Sequence, residues 1–198
     1  MKAATRIVIV VITGIAFGAL TAILQKYLNF PTLALVNAAS PWLTLMFLSG
    51  SLWNNRRSAA YAGLASGCFE LIGYYATSSI RGHSAGSAFI LFWLGAALVG
   101  GPIFGVAGSE WWNGHGWKAD VGASCLPAAF AAEAVSTYLL RLHYYSSAVL
   151  FGAIALFTLL LLGKRQNGLG RRVAWFIPVC LVGLACFWLT GIIYGQTF

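Results

Sequence analysis

The 198-residue chain is 60% hydrophobic and 8% charged, and its formal net charge is +8. A water-soluble domain of this length could not bury so much apolar surface, so the composition excludes a soluble enzyme and indicates an integral membrane protein. The basic residues are scattered over short turns rather than gathered along a groove. The lipid bilayer is therefore the expected environment, and no nucleic-acid partner is predicted.

Seven apolar stretches, each near the roughly 20 residues that cross the hydrocarbon core, predict one all-α transmembrane domain over residues 1–198. They run over Ile7–Tyr27, Leu35–Trp53, Ala59–Ser79, Ala88–Gly108, Ala119–Leu140, Ser146–Leu162 and Val173–Tyr194. The first stretch follows Lys2 and Arg6 but contains no convincing cleavage site, so it is expected to remain as a helix.

Lys and Arg collect in cytoplasmic loops, and their distribution predicts a seven-helix bundle with the N-terminus inside and the C-terminus outside. The cytoplasmic side then receives nine basic residues, Lys2, Arg6, Arg56, Arg57, Lys118, Lys164, Arg165, Arg171 and Arg172. The outer side receives three, Lys26, Arg81 and Arg141. We therefore expect a multi-pass protein of the bacterial cytoplasmic membrane.

Glycines recur at four-residue spacing in two predicted helices, as Gly14 with Gly18 and as Gly101 with Gly105. Such pairs let helix backbones approach closely in lipid, where close packing drives helix association. These glycines are therefore expected to lie at helix–helix contacts.

The cysteines lie inside apolar stretches with no CxxC pair and no His at ligand spacing: Cys68, Cys125, Cys180 and Cys186. They are expected to be small packing residues rather than disulfide partners or metal ligands. The sequence also lacks a nucleotide-binding motif, so no metal and no cofactor are predicted.

Two of the four acidic residues lie deep inside predicted transmembrane helices, away from their ends. Glu110 and Asp120 occupy a short cytoplasmic turn and are assigned no role, whereas Glu70 and Glu133 lie at similar depth in helices of the same direction. Because a carboxyl group in the bilayer costs about 2.5 kcal/mol or more, both should face the bundle interior and act as catalytic or transport groups. At least one is expected to be protonated. The alternative is a structural carboxylic acid that donates an interhelical hydrogen bond.

Aromatic residues at membrane depth accompany these glutamates: Phe69, Tyr74, Tyr75, Phe92, Trp93, Phe130 and Trp188. Most deep aromatic residues serve packing, but beside a protonated glutamate their ring faces can stabilise a carbocation. Five of them are candidate substrate-binding residues, namely Phe69, Tyr74, Tyr75, Trp93 and Phe130.

An Arg-x-His triplet follows each glutamate-bearing helix at its outer end, as Arg81 with His83 and as Arg141 with His143. These side chains are either interfacial residues that snorkel towards water or a cationic mouth for a phosphate or carboxylate substrate. The repeated order of basic residue, glutamate and triplet also suggests a weak internal repeat.

Two resemblances bear on function. The run Phe92–Gly108, the pair Trp111-Trp112 and the segment Ala131–Glu133 resemble a family of small bacterial multi-pass membrane proteins, a domain of unknown function. The segment Phe69–Tyr74 is similar to the aromatic-Glu-apolar stretch of the membrane-bound terpene cyclases. That similarity implies seven helices and an intramembrane acid that protonates an alkene or epoxide.

Two functions are expected from these residues. The first is a terpene cyclase-like enzyme in which Glu70 or Glu133 protonates a polyprenyl substrate that enters from the lipid, and aromatic rings guide cyclisation. The alternative is a small-molecule transporter, or its substrate-binding membrane subunit with partner subunits, in which both glutamates bind substrate or a proton. A structural or assembly role is the third option. Gln at position 70 or 133 should preserve the fold and abolish activity in at least one case.

Overall fold

The computed structural model describes residues 1–83, 85–163 and 169–197, and within these ranges it contains helices and turns but no strand. The helices are α1 (Ala3–Leu24), α2 (Leu33–Asn37), α3 (Ala39–Ser51), α4 (Arg56–Ile80), α5 (Ser87–Asn113), α6 (Trp117–Glu133), α7 (Tyr145–Gly163) and α8 (Leu169–Thr197). A π-helical segment, Ala134–Arg141, continues α6. The predicted all-α fold is confirmed.

Five stretches are long and apolar enough to cross a membrane: Ala3–Leu24, Ser87–Asn113, Trp117–Arg141, Tyr145–Gly163 and Val173–Ile192. Lipid offers no hydrogen-bond partners, so a spanning segment must satisfy its backbone internally, as these helices do. The multi-pass membrane character predicted from composition therefore agrees with the structure. Helix α4 is 25 residues long, but its sequence is interrupted by more polar residues.

The second predicted span is interrupted in the structure. Leu35–Trp53 was expected as one helix, yet α2 ends at Asn37 and α3 begins at Ala39, with Ala38 extended at φ −101° and ψ 155°. Pro41 lacks an N–H and suits the first turn of a helix, which explains why a new helix starts here. Since α3 has 13 residues, it is about 20 Å long, and its N-terminus lies inside the bundle.

Helix α4 lies at the centre of the N-terminal half, where it packs against α1, α3 and α5. Helix α1 runs parallel to α4, because Gly14 lies beside Ser66 and the carbonyl of Ala22 accepts a hydrogen bond from Arg81. The glutamate-bearing face of α4 is thus covered by a parallel neighbour.

Helix α6 takes the corresponding place in the C-terminal half, packed against α5, α7 and α8. Helix α8 runs parallel to α6, because Arg171 pairs with Asp120 at one end and Arg141 lies beside Gly191 at the other. Each glutamate-bearing helix therefore has one parallel partner, α1 for α4 and α8 for α6.

Glycines bring the helix backbones into contact, as their spacing predicted. A Cβ atom at Gly18 would overlap the carbonyl oxygen of Glu70, and one at Gly105 would overlap the carbonyl oxygen of Ala59. The first contact joins α1 to α4 and the second joins α5 to α4. The helices can approach this closely only because glycine has no side chain.

Gly18→Ala should therefore lower the free energy of unfolding by about 1–3 kcal/mol, because the added methyl group forces the backbones of α1 and α4 apart. Gly95→Ala is the matched control, since Gly95 also lies in a transmembrane helix and a Cβ there would meet no atom within 4 Å. Thermal unfolding of the purified protein in detergent measures both. Equal losses in the two variants would contradict the packing described here.

Candidate functional site

Glu70 lies on the face of α4 that packs against α1, and its side chain is 0% exposed. The Ser66 hydroxyl donates a hydrogen bond to Oε1 at 2.9 Å. The other carboxyl oxygen, Oε2, is buried without a hydrogen-bond partner among the described residues. Burying a carboxylate in this way is far more costly than burying a neutral acid, so the surroundings suit a group that holds a proton.

Polar side chains continue from Glu70 towards the C-terminal end of α4. Tyr74 lies one turn further along the same face of α4, and its hydroxyl is 3.1 Å from Nε2 and 3.2 Å from Oε1 of Gln25. Gln25 Nε2 in turn donates to Oδ1 of Asn37, which is exposed. We call Glu70, Tyr74, Gln25 and Asn37 the polar line.

An aromatic cluster surrounds Tyr74. The Tyr74 ring makes edge contacts with Tyr75 at 5.1 Å and with Trp42 at 5.7 Å between centroids, and Trp42 contacts Phe17 at 6.3 Å. The sequence singled out Tyr74 and Tyr75 but missed Trp42 and Phe17. Those two residues belong to α3 and α1, and only the tertiary fold brings them to α4.

The other predicted aromatic residues are divided between the two halves of the molecule. Trp93 of α5 packs against Phe92 at 5.4 Å and belongs to the same apolar cluster as Tyr75, Trp42 and Leu71. Phe130 is 4% exposed in the core of the C-terminal half. Trp188, predicted to lie at depth, is 61% exposed on α8.

Phe69 lies at the contact between α4 and α1. Its Cβ atom is 2.9 Å from the position that a Cβ atom added at Gly14 would take. The structure therefore does not gather all the predicted aromatic residues around one carboxyl group. Tyr74 and Tyr75 form one group near Glu70, and Phe130 belongs to another, in contact with Phe151 at 5.6 Å.

Glu133 is 4% exposed, and it caps the N-terminus of α3. Its Oε1 accepts a hydrogen bond from the backbone N–H of Ala39 at 2.9 Å, and its Oε2 accepts one from Ser40 at 2.8 Å. Because Pro41 has no N–H, these two bonds satisfy every backbone donor of the first three residues of α3. Both glutamates face the interior, as predicted, but Glu133 accepts its interhelical bonds rather than donating them.

A groove and a small cavity are found in the described part of the bundle, and neither glutamate lines either of them. An open apolar groove of about 320 Å³ lies between α6, the π-helical segment, α7 and α8, beside Ala134, Gly152 and Phe176. A cavity of about 30 Å³ lies between α3, α4 and α5, beside Trp42 and Leu71. The larger groove is thus in the opposite half of the molecule from Glu70.

The two Arg-x-His triplets lie at the ends of α4 and of the π-helical segment, as expected, but their arginines turn onto different helices. The Arg81 guanidinium donates to the carbonyl of Ala22 in the last turn of α1. Arg141 lies against Gly191 of α8, 2.9 Å from the position of an added Cβ. His83 and His143 are exposed. Each arginine therefore contacts the helix that runs parallel to its own, α1 for Arg81 and α8 for Arg141.

Charged residues missed by sequence reasoning lie at the other end of the bundle. Asp120 is 0% exposed and pairs with Arg171, which ties the first turn of α6 to the start of α8. Glu110 pairs with Arg56, and the Arg6 guanidinium lies 5.3 Å from the Trp53 ring centroid. These ion pairs could have been predicted, because their acidic and basic residues all lie at the predicted cytoplasmic ends of the helices. Lys164 and Arg165 of the basic set lie outside the described residues.

No curated protein and no solved structure matches the chain, so the local similarity to terpene cyclases is not supported by a wider match. A family model does match, and it covers residues 1–192. The match includes Glu70, Glu133 and their surroundings, and it agrees with the resemblance seen in the sequence. The chain belongs to the DUF6518 family, a family of unknown function.

Proposed function

We propose that this protein is a proton-linked membrane transporter, or the substrate-binding membrane subunit of one, in which Glu70 takes up the proton. The observation that carries the proposal is the Glu70 carboxyl group, which is fully buried, held by Ser66 through one oxygen and unpartnered at the other. Intramembrane carboxyl groups in such surroundings mark proton relays. The polar line offers a route from Glu70 to exposed Asn37 at the outer end.

The interrupted helix supports the same proposal. Secondary transporters build their sites from discontinuous transmembrane helices, whose half-helix ends meet substrate or ions near the membrane centre. Helix α3 begins inside the bundle, and the extended residue before it, Ala38, is 3% exposed. Non-helical backbone at membrane depth is tolerated only where protein buries it or where it lines a cavity, so this break has a structural cost that a function can explain.

We also infer seven membrane crossings with the N-terminus in the cytoplasm. Helix α3 together with the segment that precedes it would make the second crossing, and α4 the third. The pairs Arg56–Glu110 and Arg171–Asp120 lie at the end of the bundle that carries most of the basic residues. That end is the cytoplasmic one by the positive-inside rule.

Cysteine labelling in intact cells tests this orientation. On a background without the native cysteines, a cysteine at Ser146 should react with a membrane-impermeant maleimide, and one at Asn54 should react only after permeabilisation. Both positions are exposed and lie at opposite ends of the bundle, Ser146 in the first turn of α7 and Asn54 just before α4. Labelling of Asn54 from outside would refute the orientation.

A membrane-embedded terpene cyclase is the second candidate, and the aromatic cluster around Tyr74 favours it. A general acid at Glu70 with rings one turn away has the chemical groups that carbocation cyclisation uses. A prenyl substrate also needs a cavity, and ligand cavities usually have volumes of about 300–1,000 Å³. Glu70 borders neither of the described cavities, whereas proton uptake requires no such space. We therefore place transport first.

Variants of Tyr74 distinguish the two candidates. In a transporter the Tyr74 hydroxyl matters, because it hydrogen-bonds Gln25 one turn beyond Glu70. Tyr74→Phe and Tyr74→Leu should therefore both slow uptake about tenfold, the equivalent of one lost hydrogen bond of about 1.4 kcal/mol. In a cyclase the ring matters, so Phe should be tolerated and Leu should not. The assay uses proteoliposomes under an imposed pH gradient, with proton entry followed by an enclosed dye while a panel of solutes is supplied.

Tyr61→Phe provides the matched control, because Tyr61 lies on the same helix and is 71% exposed. It should leave uptake unchanged. Conversion of an epoxidised prenyl substrate by the wild type, with Tyr74→Phe fully active and no solute-dependent proton entry, would decide for the cyclase.

A further inference from the structure

We propose that the first turn of α3 is a binding site for a small carboxylate, which the Glu133 side chain fills in this structure. The inference rests on the proposed transport function, since it names the class of substrate. A small organic acid would take the place of the Glu133 carboxyl group when Glu133 is protonated.

The geometry of the contact carries the proposal. Two adjacent backbone amides, Ala39 N and Ser40 N, point at the two oxygens of one carboxylate at 2.9 and 2.8 Å. Helix α3 has 13 residues, so these amides also lie at the positive end of a full helix dipole. Any carboxylate of suitable size meets the same two donors, because the contact involves only backbone atoms of α3.

Two buried hydroxyl groups lie at the same place. Ser40 is 0% exposed and belongs to the first turn of α3, and its hydroxyl lies beside the Glu133 carboxyl group without the geometry of a full hydrogen bond. Ser136 is 6% exposed, lies three residues after Glu133 on the same face, and its Oγ is unpartnered. A buried hydroxyl without a full hydrogen bond is costly, and a ligand with further acceptor oxygens would satisfy both groups.

The segment between α1 and α3 covers this site from the outer end. It is fastened on one side by the hydrogen bond between Gln25 and Asn37, and on the other by the contact of Phe30 with Tyr144, at 4.9 Å between ring centroids. Residues of this cover are buried, with Ala34 at 0% and Ala38 at 3% exposure. The site is therefore closed here, and a ligand would enter when the cover moves.

Proton binding and ligand binding are linked by charge. While Glu133 is ionised it competes for the amides, and once protonated it is a weaker acceptor that can be displaced. The titratable side chain described as interacting with Glu133 is Tyr138, from the π-helical segment, while α3 presents backbone amides and Ser40. One proton and one carboxylate together leave the charge of the site unchanged, which suits coupled movement.

The test measures thermal unfolding of the full-length protein in detergent with acetate as the probe. Glu133→Ala leaves the backbone N–H groups of Ala39 and Ser40 without an acceptor. Acetate at about a hundredfold excess over its Kd should therefore raise the midpoint of thermal unfolding by roughly 5–10 °C at any pH where acetate is ionised. Sodium chloride at equal ionic strength should have no such effect. Glu70→Ala, which leaves Glu133 in place, should respond to acetate no more than the wild type does at the same pH.

The wild type provides the second arm. Acetate should stabilise it more strongly as the pH is lowered within the range where acetate stays ionised, because a protonated Glu133 competes less well for the amides. If Glu133→Ala fails to fold, Glu133→Gln and radiolabelled acetate take its place, with tighter binding than to the wild type expected. No acetate response in either variant or in the wild type at low pH, or an equal response to chloride, would overturn the carboxylate site. If acetate stabilises the protein as expected but proteoliposomes show no pH-driven uptake, the carboxylate site stands and only the transport function is refuted.

Discussion

Glu133→Gln should lower the free energy of unfolding by about 1–3 kcal/mol, the cost of a buried donor left without its acceptor. Glutamine keeps one oxygen for the amides of Ala39 and Ser40, but its NH₂ group would face the other backbone N–H, donor against donor. Thermal unfolding in detergent measures the loss. From sequence alone, the same substitution was expected to leave the fold nearly unchanged.

Glu70→Gln is the control for this experiment, because the Glu70 carboxyl accepts one described hydrogen bond, from the Ser66 hydroxyl, and an amide oxygen can accept it equally well. We expect a loss below about 1 kcal/mol for this variant. Equal destabilisation of the two variants would show that the cap on α3 contributes no more than any buried carboxyl group.

Glu70→Gln should abolish proton-driven uptake in proteoliposomes, with a fall of about 100-fold or more, while the protein stays folded. The amide matches the volume of the acid and keeps the bond to Ser66, but it can neither accept nor release a proton. Because Glu70 is fully buried between α4 and α1, bulk water cannot replace it.

Glu110→Gln is the matched control for transport. Glu110 pairs with the exposed Arg56 at the other end of the bundle, and an exposed ion pair contributes about 0–1 kcal/mol. Uptake by this variant should equal that of the wild type. If Glu70→Gln retained full proton-driven uptake, the proton would have to bind elsewhere and the proposed function would be wrong in its central residue.

The features predicted correctly follow from local physical chemistry. An acidic residue in an apolar helix must avoid lipid, so Glu70 and Glu133 were expected inside and are found there at 0% and 4% exposure. Glycines four residues apart on one helix face indicate close contact whatever the partner, as at Gly18. Neither inference requires knowledge of which helices are neighbours.

The interruption at Ala38 was missed because hydropathy does not distinguish a spanning helix from a short helix that re-enters the bundle. Residues on both sides of the break are apolar, and the local signal was Pro41, placed where the first turn of a new helix would accept it. The partner of that turn, Glu133, is 94 residues from Ala39 in the chain. A contact of that separation depends on tertiary packing and leaves no local pattern.

The same separation has a consequence for how the protein is made. When α3 leaves the ribosome, the acceptor for its first amides has not yet been synthesised, because Glu133 follows 94 residues after Ala39. Until α6 is inserted, those amides need water, which holds the segment near the membrane surface. Nascent chains arrested before α6 should therefore leave residues 28–42 accessible to protease, and chains arrested after α7 should protect them.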